Sequence, residues 1–191
     1  MVVGTVSLPV TGVVLAGGAA RRMGGIDKGL MPWAGAPLVV HALRLMVDLP
    51  QVLISANRSL TRYRAFGYEV VTDDQDDLGG PLIGLRQALR RAAQPWTASL
   101  PVDCPRLPSD IVSRLWQARV VGGVVAGRSP RGPEPLVCLM STALLATLDA
   151  YLNDGGRRAQ DWFQGVPHAW VDLTATEALN CNSPEDLQEG S

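Results

Sequence analysis

Two kinds of hydrophobic pattern alternate along the chain. Short apolar runs rich in β-branched residues predict buried strands, whereas stretches with apolar residues every three or four positions predict amphipathic helices. In the first helical stretch, Leu38, Ala42, Leu45 and Leu49 share one face. The strand runs are TGVVLA (11–16), QVLISAN (51–57), YEVVTD (68–73) and TASLPVD (97–103), and the other helical stretches are Ser59–Phe66, Pro81–Ala93 and Ser109–Arg119.

The order of these elements predicts the fold class. Strand followed by helix, repeated with short connections, is typical of an α/β protein whose mostly parallel sheet is covered by helices on both faces. The later part of the chain predicts strands at GGVVAGR (122–128), EPLVCLM (134–140) and HAWVDL (168–173), and helices over Thr142–Asn153 and from Ser183-Pro184.

Three predicted strands end in a polar side chain: Asn57, Asp73 and Asp103. In parallel sheets, ligands gather beyond the carboxyl ends of the strands. We therefore expect these three residues to meet at one edge, together with the glycine-rich stretch that follows the first strand.

Composition narrows the function classes. The 191 residues carry 17 basic and 18 acidic side chains, so there is no global field for nucleic acid or an anionic membrane. Three cysteines without a C-x-x-C spacing suit a reducing cytoplasm. Residues 1–20 carry no charged side chain, but Pro9 and several glycines interrupt them. We expect one domain over 1–191, a loose arm at 1–10 and no membrane span.

The stretch LAGGAARRMGGIDKGL (15–30) has the chemistry of a phosphate site. Gly17 and Gly18 let main-chain N–H groups approach a ligand, and Arg21, Arg22 and Lys28 add positive charge. The stretch matches neither a Walker A motif nor G-x-G-x-x-G. The remaining alternative is a solvated glycine-rich loop.

This loop resembles the signature of the MobA family of molybdenum cofactor guanylyltransferases. The resemblance spans residues 12–188 through further motifs in the same order. These motifs are VLISAN (52–57), Asp73 followed by GGPLIG (79–84), Asp103-Cys104-Pro105, EPLVCL (134–139), GGRRAQDWF (155–163) and NCNSPEDL (180–187).

The resemblance implies a Rossmann-like, three-layer αβα nucleotidyltransferase fold that transfers GMP from GTP to the terminal phosphate of molybdopterin. It also implies roles for particular residues. Lys28, Arg22 and Asp103 would be catalytic, and Asp103 would hold Mg²⁺. The GTP-binding set would be Leu15, Ala16, Gly17, Gly18, Lys28, Asn57, Asp73 and Asp103, and the weaker molybdopterin-binding set would be Asn180, Asn182, Arg157 and Arg158.

The family pattern is not followed everywhere. Glu134 stands where the family often has glutamine or histidine, which puts in doubt any hydrogen bond from that position to the substrate. Val102 precedes Asp103 and Cys104 follows it, whereas the family often places the cysteine first. Cofactor-insertion proteins and molybdoenzyme apoproteins are further partners that the resemblance suggests.

Simpler interpretations stay open for several residues. Asp73 lies in an acidic stretch typical of a solvated turn, Asn57 or Asn182 can cap a helix, and Arg157 and Arg158 can be a solvated pair. His41 and His168 are expected to have surface or packing roles, and Cys104 and Cys138 are expected to pack as small apolar side chains. At the level of the whole protein, the alternatives are a molybdopterin cytidylyltransferase, a sugar-phosphate nucleotidyltransferase and a non-catalytic nucleotide-binding regulator.

Overall fold

The computed structural model describes residues 7–17, 27–74 and 80–181. The strands are β1 (Val10–Leu15), β2 (Pro32–Trp33), β3 (Ala36–Pro37), β4 (Gln51–Ser55), β5 (Glu69–Val71), β6 (Trp96–Pro101), β7 (Val124–Ser129), β8 (Gly132–Ser141) and β9 (His168–Asp172). The α-helices are α1 (Leu38–Arg44), α2 (Leu60–Arg64), α3 (Pro81–Arg91), α4 (Ile111–Gln117), α5 (Leu145–Asn153) and α6 (Ala159–Gln164).

Seven strands form one twisted sheet in the order β5-β4-β1-β6-β8-β7-β9. All neighbouring pairs are parallel except those of β8, which runs antiparallel to both β6 and β7. The mostly parallel sheet expected from the sequence is therefore confirmed. The strands β2 and β3 form a separate small hairpin.

Helices cover both faces of this sheet, which gives three layers. Residues of α1, α2 and α4 pack on one face, where Val14, Ile54 and Leu100 are fully buried. Residues of α3, α5 and α6 pack on the other face in two further clusters. The central strands are buried on both faces, which explains why they read as continuous apolar runs.

Several boundaries differ from those predicted. The stretch around Leu45–Leu49 forms turns after α1 rather than continuing the helix, and β6 ends at Pro101, so that Asp103 lies in the turn beyond it. The strand β1 already begins at Val10, inside the predicted arm, and Ser7 Oγ donates to Asp48 O at 2.8 Å. The helix predicted from Ser183 lies outside the described residues.

None of the helices found between residues 7 and 181, in the ranges described above, combines the length and the apolarity needed to cross a membrane.

Candidate active site

The carboxyl ends of β5, β4, β1 and β6 lie side by side and bring their following residues to one edge of the sheet. Main-chain hydrogen bonds extend the alignment beyond the strands. Ala16 N donates to Ser55 O at 2.9 Å, and Val102 N donates to Leu15 O at 3.2 Å. Gly17 and Asp103 are therefore held on adjacent positions of the same edge.

Asn57 and Asp73 form a reciprocal pair at this edge. Asn57 Nδ2 donates to Asp73 Oδ2 at 2.6 Å, and the Asp73 main-chain N–H donates to Asn57 Oδ1 at 2.8 Å. A Cβ atom at Gly17 would lie 3.7 Å from Asn57 Nδ2, so that glycine is directly beside the pair. Asn57 does not cap the next helix, because Ser59 holds the N-cap position of α2.

Lys28 and Asp103 form an ion pair across 75 residues of sequence. Lys28 Nζ lies 3.1 Å from Asp103 Oδ2, and the two side chains are 23% and 31% exposed. Lys28 opens a 3₁₀ turn over Lys28–Leu30 that follows directly on Asp27. Charged groups that remain partly open to solvent can exchange this mutual contact for a polyphosphate and a cation.

Cys104 is a hydrogen-bond donor in this site. Its Sγ lies 2.7 Å from Asn180 Oδ1 and 3.8 Å from Asp103 Oδ1. Burial, together with the nearby charges of Asp103 and Glu134, raises the pKa of the Cys104 thiol well above its usual range. The thiol therefore stays protonated and is not a nucleophile.

A cleft opens beside Asp103 because β8 separates from β6. Their pairing ends at Ser99 and Cys138, and the register between β7 and β8 jumps from Ala126 with Cys138 to Gly127 with Glu134. Such a bulge bends a strand and redirects its side chains. The cleft has a volume of about 140 Å³ and is lined by Pro101, Asp103, Cys104, Glu134, Pro135, Leu136, Val137 and Asn180.

Two hydrogen bonds shape the walls of this cleft. Ser129 Oγ donates to Glu134 Oε1 at 3.1 Å, which fixes the carboxylate from the side of β7. The main-chain N–H of Cys181 donates to Asp103 O at 2.8 Å, so the end of the described chain runs alongside the turn that carries Asp103. Asn180 thereby faces the same space as Asp103.

The structure places the remaining predicted residues less directly. Arg157 donates to the carbonyl oxygens of Leu152 and Gly156 at 2.7 and 2.6 Å, and Arg158 O accepts from Tyr151 at 3.0 Å, so this pair closes the turn after α5. Gly18, Arg22 and Asn182 lie outside the described residues.

His41 is partly buried and His168 is exposed, in line with the expected surface or packing roles, and both bind main-chain oxygens. His41 donates to Trp33 O at 2.9 Å, and His168 donates to Val166 O at 3.0 Å. Cys104 and Cys138 are free and buried, as predicted, and Cys181 is free and buried as well. The sequence analysis did not identify the contact between Tyr63 and Asp27, or the contact between Cys104 and Asn180. For the contact of Tyr63 with Asp27, the available sequence signal was an aspartate directly before Lys28. For the contact of Cys104 with Asn180, no neighbouring sequence feature gave a signal.

Comparison with known proteins places the chain among nucleotidyltransferases. The family model of the MobA-like NTP transferase domain matches residues 12–169. A molybdenum cofactor guanylyltransferase of Methylibium petroleiphilum is 39% identical over 191 residues, with 94% of each chain covered. A protein of the same name from Cupriavidus taiwanensis is 42% identical over 190 residues, with 94% of each chain covered.

Solved structures share the fold at lower sequence identity. Molybdopterin-guanine dinucleotide biosynthesis protein A from Archaeoglobus fulgidus has a TM-score of 0.76 at 18% identity, covering 94% of this chain and 96% of its own. A Mycobacterium tuberculosis H37Rv protein in complex with manganese has a TM-score of 0.69 at 17% identity, covering 94% and 96%.

Proposed function

The chain belongs to the MobA-like NTP transferase family, and on that premise we propose that it transfers GMP from GTP to the terminal phosphate of molybdopterin. The observation that carries the proposal within the structure is the meeting of Lys28 and Asp103 beside Gly17 at the strand edge. Relatives about 40% identical over 94% of the chain carry the name of this activity, which supports guanine and molybdopterin as the specific substrates.

We assign the nucleotide to the side of the edge formed by β5, β4 and β1. The main chain at Leu15, Ala16, Gly17 and Gly18 is proposed to approach the phosphates, where exposed N–H groups stabilise negative oxygens. Asn57 carries both a donor and an acceptor and would contact the base or the ribose. Asp73, held by Asn57 at 2.6 Å, would accept from the ribose hydroxyls.

We assign the chemical step to Lys28 and Asp103, with Arg22 in support. An oxygen of the acceptor phosphate attacks the α-phosphorus of GTP, the bond to the β-phosphate oxygen breaks, and pyrophosphate leaves with the displaced electron pair. No enzyme nucleophile is needed, because catalysis of this kind rests on positioning and on neutralising charge. The ammonium of Lys28 neutralises charge on the phosphates.

Asp103 has the donor chemistry for the divalent cation that this reaction type uses. A carboxylate oxygen is the ligand Mg²⁺ prefers, and Mg²⁺ usually takes most of its remaining ligands from phosphates and water. Asp103 is partly exposed at the edge rather than enclosed, which leaves room for those ligands. When bound, the cation would neutralise the triphosphate; the manganese complex of the structural neighbour agrees with a divalent ion.

We assign the acceptor to the cleft between β6 and β8. This cleft shares Asp103 with the nucleotide side and adds the polar groups of Glu134 and Asn180. Asn182 would extend it, whereas Arg157 and Arg158 would have to leave their main-chain contacts to reach a phosphate.

We further propose one domain over 1–191, a cytoplasmic location that suits its free cysteines, and transfer of product to insertion proteins or molybdoenzyme apoproteins.

Substitution of Asp103 by alanine tests the proposed function. We expect pyrophosphate release from GTP in the presence of molybdopterin and Mg²⁺ to fall at least 100-fold, since charge stabilisation of this kind is worth about 10²–10³ in rate. Competition binding with GTP, CTP and ATP on the unmodified protein tests which nucleotide base the site prefers. A variant with near-normal pyrophosphate release would overturn the role of Asp103, and a preference for CTP would overturn the guanine assignment.

A further inference from the structure

We propose that Asp27 and Tyr63 form a positioning pair that sets the place of Lys28 for nucleotidyl transfer. The proposal rests on the function given above and adds two residues to it. Tyr63 is a fully buried residue of α2, and its hydroxyl donates to Asp27 Oδ1 at 2.6 Å. The two residues are 36 positions apart, so the contact ties α2 to the start of the segment that carries Lys28.

The pair fixes the peptide unit immediately before Lys28. The side chain of Asp27 is held by the phenol, and its main-chain oxygen accepts from Leu30 N at 3.1 Å. The next turn is closed by the bond from Met31 N to Lys28 O at 3.0 Å. The main chain is therefore held by hydrogen bonds on both sides of Lys28, which restrains the position from which its side chain extends.

The phenol is well suited to be a permanent donor. Burial, followed by the hydrogen bond and the charge of Asp27, raises the pKa of Tyr63 far above its usual range. The other oxygen of Asp27 is buried and receives no hydrogen bond from any residue in the ranges 7–17, 27–74 and 80–181. Within those ranges, Tyr63 is thus the hydrogen-bond donor that orients this carboxylate.

Gly29 keeps space for this contact. A Cβ atom at position 29 would overlap the Tyr63 hydroxyl and would lie 3.5 Å from Ala16 Cβ. The absence of a side chain lets the phenol pass beneath the turn and reach Asp27. The three consecutive residues therefore have different roles: Asp27 binds the Tyr63 hydroxyl, Lys28 supplies the positive charge, and Gly29 leaves space for the phenol.

Restraint at the base of a lysine matters for catalysis because the side chain itself is flexible. Its four-carbon stem leaves the ammonium free to sample many positions unless the backbone limits them. In this structure the ammonium lies 3.1 Å from Asp103, the proposed cation ligand. A displacement of about 1 Å in such a group can cost about 100-fold in rate, so a partial loss of restraint should cost about 10-fold.

A double-mutant cycle tests the proposal. Tyr63→Phe removes only the hydroxyl, and we expect kcat/KM for GTP with Mg²⁺ and molybdopterin to fall about 10-fold. In a Lys28→Ala background the same change should have less than a twofold effect, because the group that Tyr63 positions is gone. An equal fall in both backgrounds would show that Tyr63 acts independently of Lys28 and would overturn the proposal.

A rescue series gives a second decision that does not depend on the Lys28 variant. Asp27→Asn keeps an oxygen that can accept from Tyr63, whereas Asp27→Ala does not. We expect the asparagine variant to retain at least five times the kcat/KM of the alanine variant, with both proteins equally folded by their Tm. Equal losses would contradict the proposal.

A matched tyrosine supplies the control. Tyr68→Phe removes another phenol that packs on the same core cluster, just before the amino end of β5 rather than at the carboxyl edge, and should leave kcat/KM unchanged. Binding of GTP with Mg²⁺ is measured by calorimetry on the same variants. Should the unmodified protein fail to transfer GMP, the proposed function would be wrong, and the binding data for the cycle would still decide whether Tyr63 acts through Lys28.

Discussion

At the sheet edge, the packing around Gly84 leaves no room for even one additional carbon atom. Gly84 lies in α3 near the Asn57–Asp73 pair, and a Cβ atom there would overlap the Ser55 hydroxyl and lie 3.7 Å from Asp73 Oδ1. Ser55 is the last residue of β4 and is only 3% exposed. Two opposing effects therefore bear on this glycine, since alanine is the better helix former.

Gly84→Ala should destabilise the protein. Helix propensity favours alanine by about 1 kcal/mol, whereas inserting an atom into a filled core costs about 1–3 kcal/mol. We expect a net loss of about 1 kcal/mol, measured as the free energy of unfolding in urea, with a raised KM for GTP. Gly165→Ala is the control, because its nearest contact would be Trp162 O at 3.4 Å. A stabilised Gly84→Ala protein would mean that the Ser55 hydroxyl turns away without cost.

At the scale of elements, the hydrophobic pattern was sufficient to locate the strands of the sheet. It did not show in which direction each strand runs. An apolar run reads the same whether its strand is parallel or antiparallel, so the reversal of β8 is not visible in EPLVCLM. The signal lay in the connection. Only Pro130 and Arg131 separate β7 from β8, and a link that short forces an antiparallel hairpin.

For the candidate site, the sequence predicted which residues lie at the edge of the sheet but not which side chains pair with each other. Asn57, Asp73 and Asp103 each follow the end of a strand by two residues, and the rule for parallel sheets brings those ends together. The partner of each side chain could not be read from the sequence. Lys28 and Asp103 are 75 residues apart and Cys104 and Asn180 are 76 residues apart, so only the packed fold decides these contacts.

The segment that carries Asn180 into the cleft is folded by a capping box. Thr174 N donates to Glu177 Oε2 at 2.7 Å, and Glu177 N donates to Thr174 Oγ1 at 3.1 Å. Arg114 of α4 donates to Glu177 Oε1 at 3.0 Å. The main-chain hydrogen bond from Thr174, then its hydroxyl and the charge of Arg114, hold the pKa of Glu177 below its usual range.

Glu177→Gln should therefore change stability in a pH-dependent way. Because the pKa of Glu177 is lower in the folded state, its charge stabilises the protein above the unfolded-state value of about 4.3, and this stabilisation is lost as the pH falls through the folded-state pKa. Glutamine keeps the capping geometry but not the charge. We expect a Tm about 2 °C lower at pH 7 and a difference that shrinks only as the pH falls below about 4, measured by calorimetry. A difference independent of pH would contradict the role of the charge.

At the scale of the whole molecule, the strand order separates the two proposed substrate sides, with Asp103 between them. Asn57 and Asp73 follow β4 and β5, Gly17 follows β1, Asp103 follows β6, and Glu134 stands near the start of β8. Asp103 is thus at the boundary between the proposed nucleotide side and the cleft. In phosphoryl transfer the attacking and leaving oxygens lie roughly in line, which requires the two substrates to approach from different sides.

This division predicts that Glu134 acts on the acceptor and not on GTP. A carboxylate only accepts hydrogen bonds, and the pterin ring carries N–H donors on its aminopyrimidinone edge, so Glu134 is suited to bind that edge. Its Oε1 is already fixed by Ser129 at 3.1 Å, which reduces the cost of orienting it. Hydrogen bonds to a charged group exceed neutral ones by about 1 kcal/mol, so Glu134→Gln should raise the KM for molybdopterin by roughly five- to tenfold.

The KM for GTP should stay within twofold in the same Glu134→Gln protein, because the proposed nucleotide side lies on the far side of Asp103. Glu69→Gln provides the matched control: this glutamate lies on the outer strand β5, where it pairs with Arg91 at 3.9 Å. Steady-state kinetics with each substrate varied in turn separate the two constants. A KM for GTP that rises together with that for molybdopterin would place Glu134 on the nucleotide side, and unchanged constants would remove it from the acceptor site. Either result would mean that the separation of β8 from β6 does not divide the edge between the two substrates.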